Sequence, residues 1–424
     1  MSVRWVLLLF VFVGAAQAET VKAVFKTNPI LSSDTSDLKR FTFGLNSEQV
    51  SDILRLTNGE VNMGNVFYIE RDNSQISVLQ DRVGFSGVIY PNVPPPVVVK
   101  GFDGDPELAG QWWIDSLHVK EAWPLATGAG VVVADCDAGF YHDESDLNSN
   151  MLLDFKYDLS DPVNPDVVND GPYAYHGTAV SAIIAGVTDG KGTSGIAYNA
   201  KIVPLQNFNY DSKDTLDKEE ATAACILRAI QTPHVNVIVL ENQTANGSSE
   251  TFIGTRDAVR LAIKSGITVV GAGGNYSVEI IEEKKDDTGS IIVGALAQTE
   301  GAAYFTNFGD RLTVGAFGEN LHTLYGPNGA FGKFGGTSGA TPQVAATVAM
   351  MKEVNPLLTP EQMRELLIQT REVNTTNEKA GGKLNVLAAV TAAINTIPDV
   401  KAWAGKQFFR QKLTAILNRR ETLR

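Results

Sequence analysis

The chain has 424 residues, of which 44% are hydrophobic, and its formal net charge is −13 at a sequence pI of about 4.9. This length and apolar content suit one large α/β domain with smaller pieces attached. An acidic chain gains nothing from counterion release on a polyanion, so the composition argues against binding of nucleic acid.

The cysteine content excludes a small scaffold held together by disulfides, because Cys136 and Cys225 are the only cysteines. Stability must then come from a packed core. A single bridge is conceivable, but no sequence feature brings the two thiols together. We therefore expect two buried free thiols.

Residues 1–18 have the pattern of a secretory signal. Arg4 precedes a short apolar run from Val6 to Val13, and residues 16–18 read Ala-Gln-Ala, which suits cleavage after Ala18. The run is too short to cross a bilayer comfortably, which disfavours a membrane anchor, and a buried strand is the other alternative. No later stretch is apolar enough for a transmembrane helix. We expect a secreted or periplasmic protein without a transmembrane anchor.

Residues 19–100 differ in character from the rest of the chain. Short amphipathic segments, such as Val66–Glu70 and Ile76–Leu79, alternate with polar turns up to a stiff triple proline at residues 94–96. The pattern alone leaves two interpretations equally open. One is a small α+β pro-segment, and the other is an N-terminal subdomain that is never removed.

From Gly128 onward, strands alternate with helices, which predicts a parallel sheet covered by helices on both faces. The sequence predicts strands at 131–134, 201–205, 235–240, 267–270 and 290–293, and helices at 179–186, 216–230, 256–264 and after residue 338. Another helix begins at Thr359, where a capping box coincides with proline at the first helical position.

The last residues, 398–424, form a basic tail in which lysine and arginine far outnumber acidic residues. Trp403, Phe409, Leu413 and Leu417 can share one helical face. One interpretation is an attachment helix for an acidic partner or a membrane surface. The favoured alternative is a terminal helix that packs on the acidic domain.

Ser338 lies among small residues and opens a long apolar run that ends at Met351. Thr337 can cap a helix and Pro342 is tolerable only near the first turn, so we place Ser338 at a helix N-terminus. Free backbone N–H groups and the helix dipole favour a developing anion there. A serine nucleophile also needs a base that takes its proton.

Three further side chains at element boundaries complete a candidate catalytic set. His176 opens a helix and is the natural base for Ser338, since imidazole titrates near neutrality. Asp137 ends a buried strand and would orient His176, with Asp135, two residues earlier on the same face, as a competitor. Asn275 follows a glycine turn, where its amide can donate to a tetrahedral oxyanion. Each residue taken singly is more often structural than catalytic.

The order Asp, His, Asn, Ser resembles that of the subtilisin-like serine peptidases, over residues 105–393. The resemblance rests on Asp137-Ala-Gly, His176-Gly-Thr, Gly273-Gly-Asn275 and, most specifically, Gly336-Thr-Ser-Gly-Ala-Thr-Pro342. It implies an α/β fold, with a parallel sheet flanked by helices in a catalytic domain at 101–397. It also implies that residues 19–100 are a small α+β pro-segment, which assists folding and blocks the cleft until it is removed.

The same resemblance implies a secreted serine endopeptidase that hydrolyses peptide bonds through an acyl-enzyme. Ser338 would attack the carbonyl carbon, His176 would shuttle the proton, and Asp137 would orient His176. Asn275 and the backbone N–H of Ser338 would bind the oxyanion. The expected partners are polypeptide substrates and the chain's own pro-segment.

The sequence departs from the family pattern at the edge that pairs with an extended substrate. A small Ser-Leu-Gly segment is usual there, and here Glu241, Asn242 and Gln243 replace it. We expect these three residues to line the cleft, and we expect Glu241 to favour a basic substrate residue unless its side chain points away. Gly339 stands where methionine is usual, and Asp135 adds an acid that needs a partner or a raised pKa.

Family members often bind calcium, and the resemblance places Asp105, Asp146 and Asp189 at positions that carry ligands in some of them. Three carboxylates from separate loops suit a cation that takes six to eight oxygens. The chemistry itself requires no cofactor. Two other functions remain as alternatives. One is a catalytically inactive binding module of the same fold, and the other is a nucleotide-binding enzyme, which the glycine-rich turns favour only weakly.

Overall fold

The computed structural model describes residues 8–13, 21–26, 66–71, 105–141, 146–159, 173–207, 215–244, 247–281, 286–326 and 329–396. The chain divides into two compact units, Met1–Val98 and Val99–Arg424. The triple proline, the basic tail and most of the predicted pro-segment lie outside the described residues. Within the described part, no helix has the length and apolar character needed to cross a membrane.

The first unit contains a three-stranded antiparallel sheet. Its strands are β1 (Leu8–Val13), β2 (Val21–Lys26) and β3 (Val66–Arg71), in the spatial order β1-β2-β3. The amphipathic segment Val66–Glu70 lies in β3. The apolar run of the predicted signal is strand β1 here, so the cleavage of residues 1–18 stays a prediction.

The second unit begins with short helices and then alternates strands with longer helices, as predicted. Its first half contains α1 (Trp112–Ser116), α2 (Val119–Ala122), β4 (Val132–Asp137), β5 (Tyr157–Asp158), α3 (Ala174–Ala185), β6 (Lys201–Gln206), α4 (Thr215–Gln231) and β7 (Val235–Leu240). Its second half contains β8 (Gln243–Thr244), β9 (Gly247–Ser248), α5 (Ile253–Lys264), β10 (Thr268–Ala272), β11 (Ile291–Leu296), β12 (Val314–Phe317), β13 (Leu321–Leu324), β14 (Phe331–Phe334), α6 (Thr337–Val354), α7 (Pro360–Thr370) and α8 (Val386–Asn395).

Seven parallel strands form the main sheet, in the order β12-β11-β10-β7-β4-β6-β5. This confirms the predicted parallel sheet. β4 lies between β7 and β6, with Cys136 opposite Leu240 and Asp137 opposite Gln206. The carboxyl ends of β4, β7 and β10 therefore meet at one edge, where ligands of open α/β sheets bind.

Each face of the sheet has its own apolar core. Val133 and Val239 belong to the core on the side of α3 and α6, whereas Cys136 and Leu240 belong to the core under α4 and α5. Successive side chains of a strand point to opposite faces. Asp135 and Asp137 therefore share the face of α3 and α6 with the residue that follows Leu240.

The two cysteines form a disulfide, so the expectation of two free thiols is wrong. Cys136 lies on β4 and Cys225 on α4, with their Cα atoms 6.2 Å apart. The strand alternation that turns Asp137 toward α3 turns its neighbour Cys136 toward α4. No local pattern indicates this pairing, because 89 residues separate the two cysteines.

Helix α6 is buried along nearly its whole length by its own small residues and by its neighbours. It packs against β7, β10, β11 and β12 and against the helices α3 and α8. A helix that is apolar on all sides belongs in the interior. The N-terminus of α6 reaches the strand-end edge, which brings Ser338 to the same edge as Asp137.

Candidate active site

Asp137 and His176 are joined by a short hydrogen bond, as the sequence analysis predicts. The Nδ1 atom of His176 lies 2.6 Å from Oδ1 of Asp137, whose side chain is fully buried. The same oxygen accepts a hydrogen bond from the backbone N–H of Ala138. This arrangement fixes the proton of a neutral imidazole on Nδ1 and leaves Nε2 free to accept one.

The approach of α3 to the end of β4 depends on a glycine. A Cβ atom at Gly177 would lie 2.5 Å from the carbonyl oxygen of Gly139 and 2.6 Å from the ring of Phe140. Tyr141 N–H also donates to the hydroxyl of Thr178 at 2.8 Å. These contacts hold the first turn of α3 against the loop after β4, which places His176 beside Asp137.

Aromatic side chains of the hairpin β13–β14 flank the imidazole of His176. The ring of Phe334 meets that of His176 edge to face, with centroids 5.1 Å apart at 81°. Tyr175 packs on Tyr325 with centroids 4.8 Å apart, and burial, with these ring neighbours, raises the pKa of Tyr175. This hairpin was not predicted from the sequence, and it supplies the ring of Phe334 that packs against the imidazole.

Ser338 is the second residue of α6, so it lies at a helix N-terminus as predicted, and it is 5% exposed. The N-cap residue is Gly336 rather than Thr337, because the cap has a φ of 80° that glycine adopts easily. Pro342 lies beyond the first turn, so the carbonyl of Ser338 lacks the helical N–H that another residue would supply.

No hydrogen bond joins His176 to Ser338 among the contacts of the described residues. Burial raises the pKa of the neighbouring Glu241 carboxyl, and the Ser338 hydroxyl acts in the opposite direction and lowers it. Asp137 binds His176 directly, and both Asp137 and Ser338 influence the pKa of Glu241. For attack, the hydroxyl must turn toward His176.

The amide of Asn275 is held with its nitrogen available. Its Oδ1 accepts hydrogen bonds from the backbone N–H of Thr337 at 2.8 Å and from the Thr337 hydroxyl at 3.0 Å. An N–H can only donate, so the oxygen is assigned to this side and Nδ2 to the other. The Thr337 hydroxyl accepts from Gly274 N–H in turn. Thr337 is therefore a positioning residue that the sequence analysis had assigned to helix capping.

Glu241, Asn242 and Gln243 follow β7 directly, at the edge of the cleft. Glu241 is 4% exposed, and both of its carboxyl oxygens are buried without a hydrogen-bond partner of normal geometry. Asn242 donates to the hydroxyl of Thr222 on α4 at 2.7 Å, and Gln243 belongs to the small hairpin of β8 and β9. Of the three side chains, Glu241 is the one that lies against the catalytic groups.

Asp135 lies one step deeper in β4 and is completely buried. Its Oδ2 accepts from the hydroxyl of Ser181 on α3 at 2.9 Å, and its Oδ1 has no partner. Burial, with a smaller contribution from the charge of Asp137, raises the pKa of Asp135 well above its ordinary value. Asp135 does not touch the imidazole, which leaves Asp137 as the partner of His176.

The three carboxylates predicted to bind calcium lie near one another, and two of them, Asp105 and Asp146, already accept hydrogen bonds. Asp105 Oδ1 accepts from the backbone N–H groups of Asp189, Gly190 and Lys191, and its Oδ2 accepts from Ser194. The three N–H groups point their hydrogens at the Asp105 carboxylate. They stabilise its negative charge and would repel a calcium ion at the same place.

Asp146 is bound in the same way, because its Oδ2 accepts from the backbone N–H and the hydroxyl of Thr193 at 3.0 Å and 2.8 Å. Among the described residues, no three His, Cys, Asp or Glu side chains are arranged to hold a metal ion. As placed, this donor set does not fit calcium, and the calcium site stays a prediction.

Comparisons with known proteins agree with this geometry. Residues 128–388 match the model of the subtilase family. Subtilisin Savinase of Lederbergia lenta is 30% identical over 280 residues, which cover 66% of this chain and 97% of the relative. An extracellular protease of Xanthomonas campestris is 29% identical over 69% of this chain, and the match spans 57% of the relative's length.

Solved structures give the same result. The protease of Pseudoalteromonas arctica superposes with a TM-score of 0.58 at 28% identity, over 68% of this chain and 98% of that one. MycP1, solved with its N-terminal propeptide removed, superposes with a TM-score of 0.53 at 23% identity, over 68% of this chain and 99% of that one. The second likeness concerns the fold alone.

Proposed function

Because this chain belongs to the subtilase family of serine peptidases, we propose that it hydrolyses peptide bonds with Ser338 as nucleophile, His176 as base and Asp137 as the group that orients His176. The observation that carries this proposal is the 2.6 Å hydrogen bond between His176 Nδ1 and buried Asp137. It leaves Nε2 free to accept the proton of Ser338.

The proposed reaction has two halves. In the first, the Oγ–H bond of Ser338 breaks, its proton passes to His176 Nε2, and Oγ bonds to the substrate carbonyl carbon. The carbonyl oxygen takes the negative charge, which Asn275 Nδ2 and the Ser338 backbone N–H stabilise. The peptide C–N bond then breaks as His176 gives the proton to the leaving amine. In the second half, His176 takes a proton from water, the resulting hydroxide attacks the acyl carbon, and the bond from that carbon to Oγ breaks as Oγ recovers the proton.

We also propose that the backbone of residues 241–243 pairs with an extended polypeptide substrate. The preference of Glu241 for a basic residue is less well supported, because burial, with the charges of Asp137 and Asp135, raises the pKa of Glu241 well above its ordinary value. A neutral carboxyl attracts a cation weakly. Profiling of cleavage sites decides the question, and an absence of Lys and Arg beside the cut removes this preference.

Secretion, a signal at residues 1–18 and a removable pro-segment at residues 19–100 belong to the same proposal. The extracellular protease of Xanthomonas campestris supports it by similarity. N-terminal sequencing of the purified wild type beside Ser338→Ala tests it. We expect cleavage near residues 97–104 in the wild type alone, and identical N-termini would contradict self-processing.

Labelling by a peptidyl phosphonate tests the catalytic assignment. We expect the wild type to be labelled on Ser338, and we expect no label in Ser338→Ala at equal folding. The missing hydrogen bond between His176 and Ser338 is what keeps the inactive binding module as an alternative. A folded wild type that takes no label at any pH would establish that alternative.

A further inference from the structure

Three carboxyl groups lie together at the ends of β4 and β7, and we call Asp135, Asp137 and Glu241 the strand-end carboxyl cluster. Four of their six oxygens are buried without a hydrogen-bond partner: Asp135 Oδ1, Asp137 Oδ2 and both oxygens of Glu241. Asp137 alone has a basic partner, in His176. A negative charge on Asp135 or Glu241 would lie in the interior without a positive partner. The free-energy cost of burying that charge is large, so each of these carboxyls favours its protonated form.

The position of Glu241 within this cluster follows from the sheet. Leu240, the last residue of β7, pairs with Cys136, so the residue that follows β7 lies beside Asp137. Leu240 points into the core under α4, so Glu241 points the other way, toward the N-terminus of α6. The groups that act on its carboxyl are accordingly Asp137 and Asp135 from β4 and the hydroxyl of Ser338 from α6.

We propose that Glu241 is a positioning residue for the Ser338 hydroxyl, and that the proton on its buried carboxyl decides where that hydroxyl points. This inference rests on the proposed function. With the proton present, Glu241 is neutral and leaves the hydroxyl hydrogen of Ser338 for His176. With the proton lost to solvent, the carboxylate accepts that hydrogen and draws it away from His176 Nε2.

The electrostatics agree with this division of roles. Burial first, and the charges of Asp137 and Asp135 second, raise the pKa of Glu241, whereas the Ser338 hydroxyl lowers it. The ionised form accepts a hydroxyl hydrogen much more strongly than the neutral form, so the ionised form is the one that competes with His176. The reaction should therefore need a neutral His176 and a protonated Glu241, and its rate should fall at alkaline pH.

The experiment measures the second-order rate constant of phosphonate labelling from pH 5 to 10 for the wild type, Glu241→Gln and Asp135→Asn. For the wild type we expect a rise as His176 loses its proton and then a tenfold fall per pH unit once Glu241 ionises. Glu241→Gln should keep the rise and lose the fall. Asp135→Asn is the matched control, because it removes a buried carboxyl that bonds to Ser181 and leaves Glu241 in place. It should keep both limbs, with the fall at lower pH because one charge that raises the pKa of Glu241 is gone.

Four outcomes overturn the inference: a wild-type profile without a fall, superimposable profiles for the wild type and Glu241→Gln, loss of the fall in Asp135→Asn alone, or a displaced rising limb in Glu241→Gln. That last result would mean that Glu241 is already charged while His176 titrates. Absence of any label in the folded wild type is a different result, since it refutes the proposed function.

Carbon-13 NMR of the Glu241 carboxyl supplies a readout independent of activity. Ser338→Ala removes the one hydroxyl that lowers the pKa of Glu241, so the carboxyl should titrate at higher pH in that variant than in the wild type. Equal titration in both proteins would show that Ser338 and Glu241 do not interact, and this result also overturns the inference.

Discussion

At the scale of single residues, Asn275 shows how one amide serves two purposes. Its oxygen anchors Thr337 at the start of α6, and its nitrogen is left for an oxyanion. The two purposes can be separated, because aspartate keeps the acceptor for Thr337 and lacks the donor.

We expect Asn275→Asp to lower kcat by roughly 10²–10³, or about 3 kcal/mol of transition-state stabilisation, with little change in KM. Asn275→Ala is the comparison that loses both contacts, and it should also lower the melting temperature. Steady-state kinetics on a peptide substrate give the measurement. Near-normal kcat in Asn275→Asp would remove the oxyanion role.

Asp135 gives a prediction about stability against pH. Its folded pKa is raised above the unfolded value of 3.8, mainly by burial, so the folded state holds the proton more tightly. The stability from this group is present at low pH and is lost as the pH rises above about 4, by about 1.4 kcal/mol per unit up to the folded pKa.

Asp135→Asn should therefore melt at a higher temperature than its parent at pH 8 and at a similar temperature at pH 4. Both proteins carry Ser338→Ala, so that self-digestion does not interfere. Calorimetry at the two pH values provides the readout. An equal difference at both pH values would mean that the substitution acts through packing and that protonation is not involved.

Two residues of the candidate site could be predicted from the sequence, and the burial of a third could not. Asp137 and His176 could be predicted because each stands at an element boundary beside glycine, and the structure brings them together. The burial of Glu241 could not, because a glutamate after a strand is usually solvated. The clue was available in the alternation of β7, which turns residue 241 to the same face as Val239.

At the scale of elements, the disulfide ties the strand that ends in Asp137 to helix α4. It closes a loop of 89 residues, for which the chain-entropy relation gives about 4–5 kcal/mol as an upper estimate. The bridge is fully buried, since neither Cys136 nor Cys225 is exposed.

We expect the double variant Cys136→Ala/Cys225→Ala to lose a large part of that free energy of unfolding. Unfolding in guanidinium, followed by fluorescence, measures the loss. The wild type unfolded in the presence of a reductant is the matched control and should approach the double variant. No difference between oxidised and reduced wild type would show that the bridge does not form in solution.

The hairpin β13–β14 fills the space behind the N-terminus of α6. A Cβ atom at Gly339 would lie 2.6 Å from Cδ1 of Leu321, whose side chain is completely buried. The packing behind Ser338 is therefore tight, because Leu321 occupies the volume that a larger residue at position 339 would need.

We expect Gly339→Ala to destabilise the protein by roughly 1–3 kcal/mol through overpacking. Leu321→Val in the same chain should recover part of this loss, although Leu321→Val alone is itself destabilising. A double-mutant cycle of unfolding free energies tests the coupling. Strict additivity of the two changes would contradict the packing argument.

Element boundaries within the main sheet were predictable, because buried parallel strands read as continuous apolar runs. β7 has the predicted bounds, and the capping box at Thr359 is formed with Gln362. The hairpin was missed because its strands are short and flanked by glycines. The hairpin packs against α1 and α3, which are far from it in the sequence, so no local sequence pattern predicts these contacts.

At the scale of the whole catalytic unit, the loop at residues 189–194 is held by two buried carboxylates. Asp105, which precedes α1, and Asp146, which lies between β4 and β5, both accept hydrogen bonds from this loop. Burial raises the pKa of Asp146 to about 6, with smaller contributions from the charges of Asp105 and Asp189. Its stabilisation is therefore greatest below about pH 4 and is lost as the pH rises through 6. The loss amounts to as much as about 3 kcal/mol.

Asp146→Asn should flatten the decline in melting temperature between pH 4 and pH 7, measured in EDTA on the Ser338→Ala background. The same series with calcium tests the predicted metal site. Calcium that binds Asp146 should raise the melting temperature at pH 8 in the parent and not in Asp146→Asn. Equal melting temperatures with calcium and with EDTA would remove the calcium prediction.

Helix α6 carries the nucleophile and is also the most thoroughly enclosed helix of the described chain that contacts the sheet. Beyond its first turn, the amide hydrogens of α6 can exchange with solvent only when neighbouring strands and helices separate from it. This buried part of the helix holds its first turn in place, so we expect loss of the nucleophile to accompany loss of the tertiary structure. Ageing or mild heating would then give a mixture of intact and wholly unfolded molecules, with no population of folded but chemically impaired ones.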